Sequence, residues 1–245
     1  IVRIATHPQV QGKGIGSWAL SRIVEEATSH GLDWVAAGFG VNDELLKFWL
    51  KNQFIPVHIS PDRNPISGEY TLLVIRPLNE ETMRYIVKAN IEFKLKLLNA
   101  ISINYRDLEL EVAYLLLNSG GYVLDNIPVN HLTPVQLDRL WVYCLGPMTF
   151  EAAADIMNRI AKIYWLLKPE IRPKLDKLKE YILIGKALES RSWEDLEKEL
   201  RVPVKDLQKH AHEIACICFE HYTGLKIDDY KPGVKNIDYD FPPTL

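Results

Sequence analysis

The sequence predicts an α/β segment with a mixed sheet over residues 1–79, followed by an all-α domain over residues 80–245. Strand-length and helix-length patterns alternate as far as about residue 78, as they do in layered α/β folds. A glycine-rich turn joins the first strand pattern to the first helix pattern. Beyond residue 79 the periodic stretches have helical spacing.

Residues 1–8 alternate apolar and polar side chains and stop at Pro8, which reads as a strand. Residues 9–16 form the glycine-rich turn. Ile15, Trp18, Ala19, Ile23, Val24 and Ala27 then recur at helical spacing to His30, and Gly31 is placed to end that helix. Residues 34–39 are a short apolar strand. Asn42 caps a second helix reaching about Asn52, with Asp43 and Glu44 in the first turn, where the helix dipole favours acids. Ile55–Ile59 and Tyr70–Ile75 read as strands around a loop dense in Pro, Gly, Asn and Asp. Helices follow over Glu80–Ala100, Leu108–Leu117 (closed by Gly120 and Gly121) and 150–166, and near 174–188, 193–200 and 204–222. Thr133, Pro134 and Gln136 make a helix start, as do Ser192 and Asp195. Pro169 and Pro173 bracket a break. The tail from Lys226, with Asp228, Asp229, Pro232, Gly233, Pro242 and Pro243, reads as irregular.

With 47% hydrophobic and 25% charged residues, the chain can bury a core, which rules against disorder. No apolar stretch approaches the ~20 residues of a membrane span, so no membrane partner is expected. The chain opens on a strand pattern at Ile1 rather than on a Met or a secretory leader, and a native segment is expected to precede it. Cys144, Cys216 and Cys218 fit neither a disulfide framework nor a zinc spacing, and read as buried thiols in a reducing cytoplasm. His210 and His212 lack the spacing of a helical metal pair. His30, His58, His131 and His221 are scattered, and no metal is assigned. The net charge of −3 means that any RNA site must be a local patch.

The chemistry concentrates in Gln11, Gly12, Lys13, Gly14, Ile15 and Gly16, between a strand and a helix. Glycines let the backbone approach a ligand, and a helix N-terminus offers unpaired N–H groups to phosphate. A tight turn with no ligand is the plainer alternative. A P-loop would end in Gly-Lys-Ser/Thr, which is missing. A dinucleotide fold would need G-x-G-x-x-G and an acid after the next strand, which here ends in Gly38, Phe39 and Gly40.

The turn matches the acetyl-CoA motif of the GNAT superfamily, Q/R-x-x-G-x-G/A, through Gln11, Gly14 and Gly16. Over residues 1–17, 38–60 and 67–78 the chain more closely resembles the RNA cytidine acetyltransferases. The helical remainder is compatible with that family's RNA-binding region but carries no sharp motif.

The resemblance implies a partial GNAT acyltransferase fold, the C-terminal half of that domain, and acetyl transfer from acetyl-CoA to N4 of a cytidine in RNA. Ile4, Ala5 and Thr6 would lie along the pantetheine. Gln11, Gly12, Lys13, Gly14, Ile15, Gly16 and Ser17 would hold the pyrophosphate, and Glu44 and Lys51 would also touch the cofactor. Lys51 stands where an Arg is common, which weakens the expectation of a bidentate phosphate contact. Trp49 stands where many GNAT enzymes place a Tyr acid, as it does in the cytidine enzymes, although Phe48 and Trp49 also read as core aromatics. His7 is the candidate base, or a turn residue. Arg84, Lys88, Lys94, Lys96 and Arg106 are the candidate RNA patch, or a solvated helix face.

The implied partners are tRNA or rRNA, and either an upstream helicase-like and GNAT segment or a second copy covering the open sheet edge. ATP would enter only through a module not in this sequence. Two other readings stay open. One is a GNAT enzyme acting on a protein or small amine. The other is a truncated, non-catalytic remnant that binds acetyl-CoA or RNA.

Overall fold

The computed structural model describes residues 1–127 and 132–233. His131, Pro242 and Pro243 lie outside them. The chain packs as two compact units. One holds Ile1–Ala100 with Glu111–Gly121, and the other Ile101–Leu110 with the chain from Tyr122 onward. This packing division falls later than residue 79, because most of the long helix after the sheet belongs with the sheet.

In the first unit, residues 1–7 are extended but form no strand, contrary to the sequence pattern. Ile1 N donates to Ala36 O at 2.5 Å, and no ladder follows. The alternation survives as burial, with Ile4 and Thr6 half-buried and Ala5 and His7 exposed. A strand, however, needs a partner along its length. The described sheet is therefore antiparallel rather than mixed. It is formed by β1 (Trp34–Gly40), β2 (Ile55–Arg63) and β3 (Tyr70–Pro77) in the order β1-β3-β2. Central β3 buries Tyr70, Leu72 and Val74 on one face. Pro56 is tolerated because β2 is an edge strand.

Helix α1 (Ile15–Ser29) and helix α2 (Asp43–Lys51) match the expected helices to within a residue. The Asn42 side chain accepts from Leu45 N at 2.9 Å, the expected N-cap. Leu20, Leu46 and Phe54 are almost fully buried. Trp49 lies among Phe39, Phe48 and Phe54 at centroid distances of 5.5, 5.4 and 4.7 Å, so its place is in the core.

Helix α3 (Glu80–Asn104) and helix α4 (Leu110–Asn118) follow. Buried Asn90 on α3 donates to Pro56 O at 2.8 Å and accepts from Gly121 N at 2.9 Å. Gly120, at φ +71°, comes so close that an added Cβ would lie 2.4 Å from Asn90 Cγ. Asn90→Ala would strand a buried carbonyl and a half-buried N–H. It is expected to destabilise the chain by about 2–4 kcal/mol, read as a lower urea midpoint at unchanged m-value.

The second unit is helical, as expected. Helix α5 (Pro134–Cys144) opens with the capping box of Thr133 and Gln136. Helix α6 (Ala154–Leu166) is buried along most of its circumference. Helix α7 (Lys177–Ile182) continues as a π-helical turn over Leu183–Leu188, so the single helix expected to 188 changes pitch partway. Helix α8 (Trp193–Leu200) is capped by Ser192 Oγ accepting from Asp195 N at 3.0 Å. Helix α9 (Val204–Thr223) ends at Gly224. The tail is fastened to α5, with Trp141 Nε1 donating to Ile227 O at 2.9 Å and Tyr230 OH to Asp138 at 2.8 Å. Among the described residues no helix is long and apolar enough to cross a membrane.

Candidate cofactor-binding site

The glycine turn is built from both sides. On its N-terminal side, Gln11 Nε2 donates to Thr6 O at 3.1 Å, which ties the turn to the extended segment holding Ile4, Ala5 and Thr6. His7 caps the short 3-10 turn Pro8–Val10, its Nδ1 accepting from Gln9 N at 3.3 Å. Gly12 and Gly14 have φ of +74° and +83°, backbone that side-chain-bearing residues adopt only with strain.

On its C-terminal side, the turn feeds directly into α1. Gly14 is the N-cap, and no side chain caps this end. The first helical bond runs from Trp18 N to Gly14 O at 2.9 Å, so the preceding N–H groups of Ile15, Gly16 and Ser17 have no intrahelical acceptor. A Cβ built on Gly12 or Gly14 would meet nothing within 4 Å, so the outer side of the turn is open space. A turn open along its backbone, next to the positive end of a helix, fits a pyrophosphate.

The C-terminal end of α2 holds the first turn of α1 in place. A Cβ on Gly16 would lie 3.2 Å from the Phe48 ring, so the two helices approach closely at that point. Asn52 Nδ2 donates to Ser17 Oγ at 3.1 Å and to Phe48 O at 2.8 Å. Asn52 went unnoticed in the sequence because its only local signal is an Asn at a helix end. Its contact with Ser17 spans 35 positions. Glu44 and Lys51 are exposed on α2, and neither hydrogen-bonds to the turn. Lys47 between them pairs with Asp43 and Glu111, each at 2.8 Å, and these carboxylates push its pKa up. Lys13 is exposed in the turn.

The expected RNA patch is divided. Arg84, Lys88 and Lys96 are exposed along α3, with Glu92 exposed among them, so the stripe is three cations and one carboxylate. Lys94 is a correction. It is 1% exposed and its ammonium donates to Gly121 O at 2.7 Å, so it holds the turn after α4 and does not face solvent. Its position in a stretch rich in lysine hid the fact that it lies on the buried side of the helix. Arg106 belongs to the second unit, where it donates to Ser190 O at 3.0 Å. Among the described residues no group of His, Cys, Asp and Glu is arranged to hold a metal.

Residues 22–79 match the family model described as GNAT acetyltransferase 2, beginning just after the glycine turn. Residues 91–215, just over half of the chain, match the model described as a possible tRNA binding domain. The chain is 44% identical over 246 residues to the tRNA(Met) cytidine acetyltransferase TmcA of Thermofilum pendens, covering 96% of this chain and 30% of that protein. The TmcA of Methanopyrus kandleri is 44% identical over 222 residues, covering 91% and 26%. The more distant TmcA of Nitrosococcus halophilus is 31% identical over 202 residues, covering 80% and 26%. The chain thus spans less than a third of the length of these curated relatives.

Sheet, glycine turn and helical unit together define a partial GNAT acyltransferase fold followed by a helical region. The chain belongs to the RNA cytidine acetyltransferase family.

Proposed function

We propose that this chain is the C-terminal, acetyl-CoA- and RNA-binding part of an enzyme that acetylates N4 of cytidine in tRNA. One observation carries the reading. An uncapped helix N-terminus behind an open glycine turn sits on the same chain as a segment matching a possible tRNA binding domain. Acetyl-CoA supplies the activated acetyl group as a thioester. The backbone N–H groups of residues 15–17 bind the pyrophosphate, with Gly12 and Gly14 allowing its approach and Phe48 and Asn52 fixing the first turn of α1. Ile4, Ala5 and Thr6 line the pantetheine path, and Glu44 and Lys51 lie at its margin. A cytidine presented single-stranded or flipped out supplies the attacking amine.

His7 is the candidate base in this segment. In the neutral tautomer its Nδ1 accepts the Gln9 N–H and its Nε2 carries the proton, so Nδ1 is the basic nitrogen and His7 must release Gln9 N to take up a proton. His7→Gln is expected to leave acetyl-CoA binding intact and to abolish acetyl transfer. Unchanged single-turnover acetylation would remove it from the mechanism.

The outer edge of β1 is touched by Ile1, and beside it opens a cleft of about 680 Å³ lined by Ile1, Ile23, Leu32, Trp34 and Ala36. None of residues 11–17 line this cleft, so it is separate from the glycine turn. Trp34 and Leu32 are 54% and 55% exposed there. An upstream segment of the longer protein is the proposed occupant, and ATP is proposed to act only through such a segment. A cytoplasmic location completes the reading.

RNA binding is tested on α3. Reversing Arg84, Lys88 and Lys96 together to Glu is expected to weaken tRNA binding and to flatten its salt dependence. The slope of log K against log salt should fall by roughly 0.7–0.9 for each phosphate that is no longer neutralised. An unchanged slope would take α3 out of the RNA surface. Lys94 must stay in place, because a charge reversal there would unfold the turn it holds.

A further inference from the structure

Helix α5 ends at Cys144, where it packs against α9. The packing is fixed on both sides of the sulfur. Tyr143 stacks on His212 at 4.2 Å, and His212 Nδ1 lies 3.0 Å from Tyr143 O. Cys216 is one turn beyond His212, on the same face of α9. Its thiol donates to Cys144 O at 3.7 Å. Two cysteines that are 72 positions apart in sequence are therefore side by side, with the Cys216 sulfur against the Cys144 backbone, and both are only half-buried. Cys218, two residues further along α9, is fully buried.

We propose that Cys144 and Cys216 form a redox-active dithiol that closes to an intramolecular disulfide and staples the end of α5 to α9. The neighbouring Cys144 side chain lowers the Cys216 pKa, and Cys216 together with burial raises that of Cys144, which makes Cys216 the attacking sulfur. With oxidised glutathione as oxidant, the Cys216 thiolate attacks one glutathione sulfur, breaks the S–S bond and expels glutathione thiolate. Cys144, losing its proton, then attacks the Cys216 sulfur and releases the second glutathione. The protein loses two electrons and two protons, and one glutathione disulfide becomes two glutathiones. Cys144 sits at the last residue of its helix, where the backbone can adjust to disulfide geometry. Cys144 lies within the segment matched as a possible tRNA binding domain, and Cys216 lies one residue past its end.

The test incubates the full folded chain with reduced and oxidised glutathione at graded ratios, beside Cys144→Ser and Cys216→Ser. Intact mass, alkylation after unfolding, peptide mapping and melting are recorded. The oxidised parent is expected to lose the mass of two hydrogens and to yield a Cys144–Cys216 peptide, leaving Cys218 as the thiol alkylated after unfolding. Closing so long a loop should raise its melting temperature by about 5–10 °C. Cys144→Ser should instead keep one glutathione on Cys216 and show no such rise. Three free thiols under excess oxidised glutathione, a stable glutathione adduct on the parent, or a bridge to Cys218 would each overturn the proposal.

Discussion

Gly14→Glu is expected to abolish acetyl-CoA binding, with a loss of at least about 100-fold in calorimetric affinity. The space outside Gly14 is open, so the new side chain does not clash. What it brings is a carboxylate at the N-terminus of α1, where the pyrophosphate is proposed to bind. Two unit charges about 4 Å apart near a protein surface repel by roughly 4 kcal/mol, and each 1.4 kcal/mol is tenfold in affinity. Gly14 also sits at φ +83°, which strains any side-chain-bearing residue. Gly14→Ala carries that strain without the charge and separates the two effects. It should lower the melting temperature as much as the Glu variant does, while keeping most of the affinity. Binding by the Glu variant equal to that of the parent would remove the turn from the site. A folded parent that shows no binding would remove the donor site from this chain.

The second large effect is expected at Arg191, far from the turn in sequence. Arg191 Nε lies 2.7 Å from Glu189, which is fully buried. The same guanidinium pairs with Glu199 and donates to Leu108 O and, at 3.2 Å, to Arg106 O. Burial pushes the Glu189 carboxyl well above its usual range, while Arg191 pulls the other way. The contact is an ion pair only, since Arg191 Nε donates to Arg106 O and neither Glu189 oxygen accepts a hydrogen bond. Arg191→Leu leaves the carboxylate uncompensated, and destabilisation by about 3–5 kcal/mol is expected. That is a large part of a domain's usual stability.

The pH dependence has a definite sign. A carboxyl whose pKa is higher folded than unfolded holds its proton more tightly in the folded state. It favours folding at low pH, and that contribution is lost as pH rises from the ordinary 4.5 towards the folded value. Removing Arg191 raises the folded value further. The deficit of Arg191→Leu should therefore be smallest near pH 5 and grow towards pH 8, read by urea unfolding. The double change Glu189→Leu with Arg191→Leu should recover most of the loss. A deficit independent of pH would mean that lost packing, not the stranded carboxylate, is responsible.

Much of this could be read in the sequence, because the signals involved are short. Asn42, Thr133 and Ser192 cap helices within a few residues of themselves, and the structure places those caps as expected. The glycine turn is equally local. Gly12 and Gly14 adopt the positive φ that glycine permits, just ahead of α1. The alternation over residues 1–8 misled, because it reports which side chains face inward and not whether a partner strand is present. Lys94 misled for the opposite reason. Lysine is usually solvated, and only the turn packed against α3 draws its ammonium inside.

The sequence by itself determined the order of the elements, their caps, the open turn before α1 and the family. Each rests on periodicity, cap chemistry or motif spacing over a few neighbouring residues. The tertiary structure alone decided that Asn52 braces Ser17, that Asn90 and Lys94 hold Gly121, that Arg191 lies against Glu189, and that Cys144 meets Cys216. Most of these contacts join residues tens of positions apart. The pair at 189 and 191, though only two positions apart in sequence, is defined by burial. Such contacts depend on how whole elements pack, and no local pattern encodes that.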